Sequence, residues 1–510
     1  MHKFVCTTLI LGTMITPVFA DGFDFLKPAD PLLQMPLPVN TIALPIKKAT
    51  LTHNSLHNQY VFAFDRFVQS NVKSAYMDFK VLIETMADND YAYMKMAENM
   101  ADIGFFDLSE LASSKIEDRA LSDFLIGDIK LYYFPSKKLK QDDEVYLGEV
   151  FSNIIYNDQS REATSELVKN TSLLASSDYA NYVAALGYLK SNDFINANTY
   201  IDTAISMNPQ NLNYKKLKAE ILSQGKKPKD ALKMVEYIKS QKLYSADFTR
   251  KVNSLEQYVL YKSKKDYSEK MYHLGYYYYY ENELAKSMRA LQNALTTKKK
   301  HNKEVYAILS RVYYNMQEYE KAQDIAQKAY KMDSGNSTTL LVLGDLNYRK
   351  GDYKTALKYY KDAESKDKSS SVFPLKVAQT YEKLGKEKKA YELYEKILKT
   401  YSDCWTAYYK IALKDKSKEL AYLKKAIAIN LNFKEAWIDL GRVEIERGNY
   451  YDAKKYLGIA NYIDENDFRY YYYQGLIAKN QGLKQDAEKY FKRSLKLNPD
   501  YAPAKEELNI

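Results

Sequence analysis

Three segments of this chain repeat one spacing of small and large residues. Ala356 stands twelve residues after Gly344, Ala453 twelve after Gly441, and Ala487 twelve after Gly475. In each case a large residue follows that alanine by four (Tyr360, Leu457, Phe491) and a small one by seven (Ala363, Ala460, Ser494). Two antiparallel helices explain the spacing. Where the first crosses the second, only a small side chain lets the backbones approach, which accounts for Gly344, Gly441, Gly475 and Ser310. The second helix needs small residues at two crossings, as in Ala322 and Ala329, and large ones such as Tyr360, Tyr394 and Phe491 fill the gaps between. A proline or polar residue closes a unit, as at Asn208-Pro209 and Asn498-Pro499.

On these marks the chain resembles the tetratricopeptide repeat, a helix-turn-helix unit of about 34 residues. Clear units begin near Ser268, Lys303, Ser337, Ser371, Lys434 and Phe468. The long step before Lys434 holds a shortened unit carrying Trp405, Ile411, Leu423 and Ala426. Upstream, 178–211 (Gly187, Ala197, Ala204) and 212–245 (Ala219, Ala231, Val235) also match, and 144–177 matches weakly. The resemblance implies an all-α fold, an α-α superhelix. The expected order is a signal peptide at 1–20, a Pro-rich extended linker or strap at 21–50, and a divergent helical region at 51–143. A first repeat block covers 144–245, an extra helix 246–267, a second block 268–501, and a partial capping helix 502–510. The extra helix rests on Phe248, Val252, Leu255 and Val259 at helical spacing. No alternation of strand type competes.

The N-terminus predicts export. Lys3 precedes an uncharged apolar run from Phe4 to Val18, and Val18-Phe-Ala20 supplies the small-residue pattern for a cut after Ala20. No later stretch is long and apolar enough for a transmembrane span. Only Cys404 would remain after cleavage, so no intrachain disulfide is expected, which suits a bacterial periplasmic or envelope location. Residues 23–45 hold five prolines and cannot be helical. Leu32, Leu33, Met35 and Leu37 allow either a tether or a strap on the solenoid.

Nothing in the sequence announces catalysis. There is no phosphate-binding glycine loop, no dinucleotide fingerprint and no nucleophile elbow. His53 and His57 lack a third metal ligand, so no metal, cofactor or catalytic residue is expected, and the chain reads as a non-enzyme. The net charge of +10 is mild for this length. Lysine clusters such as Lys298–His301 fall in turns, which disfavours nucleic acid and leaves an anionic envelope polymer as an additional partner.

The 50 tyrosines admit two explanations, a compositional bias towards Lys, Asn, Tyr and Ile, or a binding surface. In the family the first helix of each unit lines the concave face. In the unit from Ser268, Met271, Leu274, Gly275 and Tyr278 are expected to pack inward, leaving Tyr272, Tyr276 and Tyr279 on another stripe. The corresponding positions further on are Arg311, Tyr314 and Asn315, then Asp345, Tyr348 and Arg349. These nine form the expected groove for a protein or peptide partner. The Lys/Asn clamp that some relatives use for a terminal carboxylate is absent from these places. The functional expectation is a scaffold or adaptor of the cell envelope. One alternative is a carbohydrate-polymer or exopolysaccharide-export module. Another is an enzyme with its site in the divergent N-terminal region, which a buried polar cluster there would favour.

Overall fold

The computed structural model describes residues 56–85, 90–117, 119–241, 246–295, 302–402, 404–430, 433–464 and 466–509. The expected leader, the cut after Ala20, the Pro-rich segment, His53, the His57 side chain and the Lys298–His301 cluster lie outside them. Among the described residues there are twenty-eight helices and no strand.

The N-terminal helices are α1 (Leu56–Val68), α2 (Val72–Thr85), α3 (Asp90–Asp102), α4 (Phe106–Ser114), α5 (Arg119–Tyr132), α6 (Gln141–Ile155), α7 (Ser160–Leu167) and α8 (Thr171–Ser176). Two hairpins and a single helix follow: α9 (Asp178–Lys190), α10 (Phe194–Met207), α11 (Leu212–Gln224), α12 (Pro228–Lys239) and α13 (Ala246–Ser263). The next three hairpins are α14 (Tyr267–Tyr280) with α15 (Leu284–Ala294), α16 (Asn302–Asn315) with α17 (Tyr319–Met332), and α18 (Ser337–Arg349) with α19 (Tyr353–Lys366). Then come α20 (Val372–Lys383) with α21 (Glu387–Thr400), the short α22 (Trp405–Ala412) with α23 (Glu419–Ile429), α24 (Lys434–Glu446) with α25 (Tyr450–Ile463), and α26 (Phe468–Asn480) with α27 (Lys484–Leu497). Helix α28 (Ala502–Leu508) ends the array. From α9 to α28 successive helices pack on one another without a break, each hairpin against the next, so this part of the chain is an α-solenoid.

The repeated spacing is the packing itself. A Cβ added to Gly441 would lie 2.5 Å from Leu457 Cγ, one at Gly475 2.5 Å from Phe491 Cε1, and one at Gly344 would collide with the Tyr360 ring. The large residue four places after the alanine therefore seats on the bare backbone of the first helix. From α14 on, every hairpin except the short α22–α23 reverses through one left-handed residue: Gly351 (φ 82°), Gly385, Gly448 and Gly482, but also Gln317 (φ 64°) and Asn282. At Gly351 the Asp352 N–H donates to Asn347 O at 3.0 Å and the Gly351 N–H to Tyr348 O at 3.0 Å, a Schellman closure of α18. The Asp352 side chain then accepts from Thr355 N at 3.1 Å and caps α19. Gln317 makes the same turn with Glu318 N donating to Tyr313 O at 2.9 Å, but it carries a Cβ that the left-handed region disfavours. Gln317→Gly is expected to stabilise the α16–α17 hairpin by about 0.5–1 kcal/mol. A urea titration should show a higher midpoint, and a lowered one would mean that the Gln317 side chain holds contacts worth more than the strain.

The two helices of a hairpin differ in burial. Helix α19 buries only Ala356, Tyr360 and Ala363, one stripe at helical spacing. Helix α18 is buried without a break from Thr339 to Leu346, and α20 from Val372 to Thr380. A second helix shows one face to the array, whereas a first helix is enclosed by its own partner and by both neighbouring hairpins.

The solenoid also meets itself. Helix α23 touches α5, and α25 touches α3. Glu117 accepts from Tyr451 OH at 2.9 Å and pairs with Lys455 at 2.8 Å, across 334 and 338 residues of chain. One apolar cluster contains both Tyr60–Ile221 and Trp405–Ala460 residues, while the stretch between has cores of its own. Late second helices thus lie against the N-terminal region. Repeat spacing carries no sign of this contact.

Candidate functional site

The nine residues expected to line the groove sit on α14, α16 and α18, three successive first helices. The residue after each small crossing residue forms a ladder: Tyr276, Arg311, Asp345, then Gln379 on α20 and Arg442 on α24. Two adjacent rungs, Arg311 and Asp345, meet. Arg311 Nη1 lies 2.6 Å from Asp345 Oδ2, with the two side chains 6% and 1% exposed. Lys376 Nζ reaches Asp345 Oδ1 at 2.8 Å, and Tyr360 OH donates to the same oxygen at 2.7 Å. Burial alone would raise the Asp345 carboxyl. The Lys376 and Arg311 charges outweigh it and hold the group below the usual carboxylate range. Arg311 is pushed above its ordinary value, where the pull of Asp345 overcomes its own burial. Arg442 repeats the theme with Glu419, and with Glu446 at 2.6 Å.

The expected stripe is therefore only partly open. Arg311 and Asp345 are interior and engaged with each other. Tyr279 is 1% exposed, and Tyr348 is buried as well. First helices lie so close that rung side chains reach the neighbouring rung before they reach water. Met271, Leu274 and Tyr278, expected to pack inward, are only half-buried, and Tyr279 and Tyr280 take the enclosed places instead. Tyr272, Tyr276, Tyr314 and Asn315 are half-buried and Arg349 is exposed. Asn315 Nδ2 donates to Tyr279 OH at 3.3 Å, and the Arg349 guanidinium lies 4.0 Å from the Tyr319 ring centre. Tyr276 stacks on Tyr280 at 5.3 Å. Burial raises the Tyr272 phenol to about 12 and pushes Tyr314 up as well, so these hydroxyls stay protonated at neutral pH.

The polar residues that sequence reasoning left out are Lys376 and Tyr360. Tyr360 was visible only as a filler, and Lys376 as one lysine among many. A hydroxyl and an ammonium at consecutive hairpins beside a buried aspartate are apparent only in three dimensions.

The divergent N-terminal helices pack mainly by aromatic contact, with Phe105 against Phe67 at 5.5 Å and Tyr76 at 5.2 Å. One buried carboxyl lies there. Glu144 takes the Asp107 N–H at 3.2 Å, at the start of α4, and burial raises it to about 8. It borders a cavity of about 330 Å³ with Asp107, Glu110, Lys130 and Lys138. Lys138 pairs with Asp107 at 2.8 Å and Lys130 with Glu110 at 3.4 Å. Cys404 is buried, and His273 Nδ1 lies 3.0 Å from Gln257 Oε1. Among the described residues no three His, Cys, Asp or Glu side chains are grouped to hold a metal. None of the described helices is long and apolar enough to cross a membrane.

None of the curated proteins matches the sequence. Among solved structures, the chain is similar to MamA (28% identity over 31% of this chain and 96% of that one, TM-score 0.27). It is similar to PilW, described as a widely conserved type IV pilus biogenesis factor (21%, 41% and 98%, TM-score 0.35). It is also similar to the Cut9–Hcn1 hetero-tetramer of the APC/C (13%, 92% and 98%, TM-score 0.44). Three family models, each described as tetratricopeptide repeat, match residues 309–371, 375–404 and 468–501. Matched by these models, built of helical hairpins and carrying the small-residue crossings in phase, the chain belongs to the tetratricopeptide repeat superfamily.

Proposed function

We propose that this protein is a non-enzymatic adaptor of the cell envelope. It docks an extended segment of a partner protein along the open edge of the first-helix ladder, at Tyr272, Tyr276, Tyr314, Asn315 and Arg349. The observation that supports this best is the row of Tyr314, Asn315 and Arg349. They lie on successive first helices at the half-buried to exposed margin of an interior that is already fixed. Tyrosine and arginine lose little entropy when such a margin holds them, and they commonly carry binding energy. The rungs beneath, Arg311 and Asp345, keep the first helices in register and so hold the margin in shape. The interior rungs are then supports, and the expected contact set narrows to the residues that solvent reaches. Exported leader, envelope location and protein partner are parts of one reading.

The test uses the full chain in its native cells. A photo-crosslinking residue at Asn315 should yield discrete protein adducts, and one at Lys358 on the outer face of α19 should not. A Tyr314→Ala, Arg349→Ala variant should lose those adducts while keeping its helical circular dichroism. Equal adducts from both positions, or adducts that survive the double substitution, would overturn the reading.

A further inference from the structure

The interior ladder does not balance its own charge. Arg311 and Lys376 bring two cations to the single carboxylate of Asp345, and all three are enclosed between α16, α18 and α20. Tyr360 donates a neutral hydroxyl to that carboxylate and removes no positive charge. Farther along α20, Glu382 is taken by Lys410 at 2.8 Å. One positive charge therefore has no second carboxylate among the described residues. Beyond Asp345 the cations meet only rings, Arg311 5.2 Å from that of Tyr314 and Lys376 5.8 Å from that of Tyr360. This leaves a formal excess charge in a water-poor interior, an arrangement that is costly unless another group meets it.

Hydrogen bonding at the same rungs is also incomplete. Gln379 is 1% exposed, and neither its amide nitrogen nor its amide oxygen has a partner. Arg311 Nε is unpartnered too. Buried polar groups are satisfied in the great majority of proteins, and an exception calls for a physical cause. Gln379 occupies the ladder position next after Asp345 and stands one helical turn beyond Lys376 on the same face of α20. An amide N–H and an ammonium, both donors, thus project from one face of α20 three residues apart, beside an excess positive charge.

We propose that the ladder binds one small monovalent inorganic anion of halide size. The Lys376 ammonium and the Gln379 amide hold it, and the Arg311–Asp345–Lys376 group supplies the charge that it neutralises. Size follows from burial: a peptide carboxylate would have to bring its chain into an interior where these side chains are at most about a tenth exposed. The site is independent of the partner-docking margin, because it uses none of those five residues. Its role is to complete the seam between three consecutive hairpins.

The experiment measures thermal unfolding of the full chain at constant ionic strength while chloride or bromide replaces gluconate. An anion that binds only the folded protein raises the midpoint saturably, here by roughly 2–4 °C. Lys376→Met makes the cluster neutral and should abolish the halide dependence, and Gln379→Leu should weaken it. Lys354→Met, an exposed change on α19, should leave it intact. Where Lys376→Met does not fold, the wild-type chain decides: a crystal soaked in bromide should show an anomalous peak within hydrogen-bond distance of Lys376 Nζ and Gln379 Nε2. Equal midpoints in halide and gluconate, an unchanged halide dependence in Lys376→Met, or bromide at surface positions only would overturn the proposal.

Discussion

Gly441→Leu is expected to cost the C-terminal block about 3 kcal/mol or more. The first added carbon alone would sit 2.5 Å from Leu457 Cγ and 3.4 Å from Ala453 O, so the leucine cannot enter without separating α24 from α25. Overpacking of an interior commonly costs about 1–3 kcal/mol, and here the added Cβ alone already meets two Leu457 carbons, at 2.5 and 2.7 Å, before the rest of the leucine is placed. Solenoid contacts run between neighbours, so the loss should spread to α22–α23 and α26–α27 before it reaches α14. Hydrogen exchange read by peptide would show that gradient, and uniform protection would mean that the crossing lies elsewhere. Gly458 is the control. It stands on α25 with nothing within 4 Å of its added Cβ, so Gly458→Ala should stabilise by about 0.5–1 kcal/mol through helix propensity alone. Leu457→Ala should relieve part of the cost of Gly441→Ala, since the two side chains compete for one space.

Asp345→Ala should destabilise by about 3–5 kcal/mol, because it leaves Arg311 and Lys376 as enclosed cations without their shared carboxylate. The Tyr360 hydroxyl loses its acceptor in the same step. Replacing Arg311, Asp345 and Lys376 together with apolar residues of similar volume should recover most of that loss, since buried ion pairs often gain little over good packing. Guanidinium midpoints of the single and triple variants test this, and a triple variant as weak as the single one would refute it. The pH dependence has a definite sign. The folded carboxyl of Asp345 lies below its unfolded value, so its contribution is full above the ordinary carboxylate range. It falls away as pH drops below about 4. Asp345→Ala should accordingly flatten the acid limb of the stability curve below that pH.

Much of this architecture was legible in the residues. The Gly344, Gly441 and Gly475 crossings, and the large residues that seat on them, are local geometry repeated along one axis. A sequence records such geometry directly, because partners stand a fixed sixteen residues apart. The stripe on α14, α16 and α18 was legible as a stripe for the same reason, but its openness was not. Helical spacing tells which residues share a face. It cannot tell how closely the next hairpin covers that face, and the covering turned Tyr279, Arg311 and Asp345 into interior groups.

The sequence by itself determined the repeat, its all-helical class and the places where helices cross, since each follows from contacts within one hairpin or between neighbours. The tertiary structure decided two things, the side-chain contacts across the first-helix seam and the return of the array onto its own N-terminal helices. It set how tightly the first helices close on one another, which brought Lys376 and Tyr360 to Asp345. It also brought α23 and α25 back to α5 and α3, where Glu117 meets Tyr451 and Lys455. A small angle per hairpin, accumulated over more than three hundred residues, fixes the second, and side-chain reach across one seam fixes the first; repeat spacing carries neither.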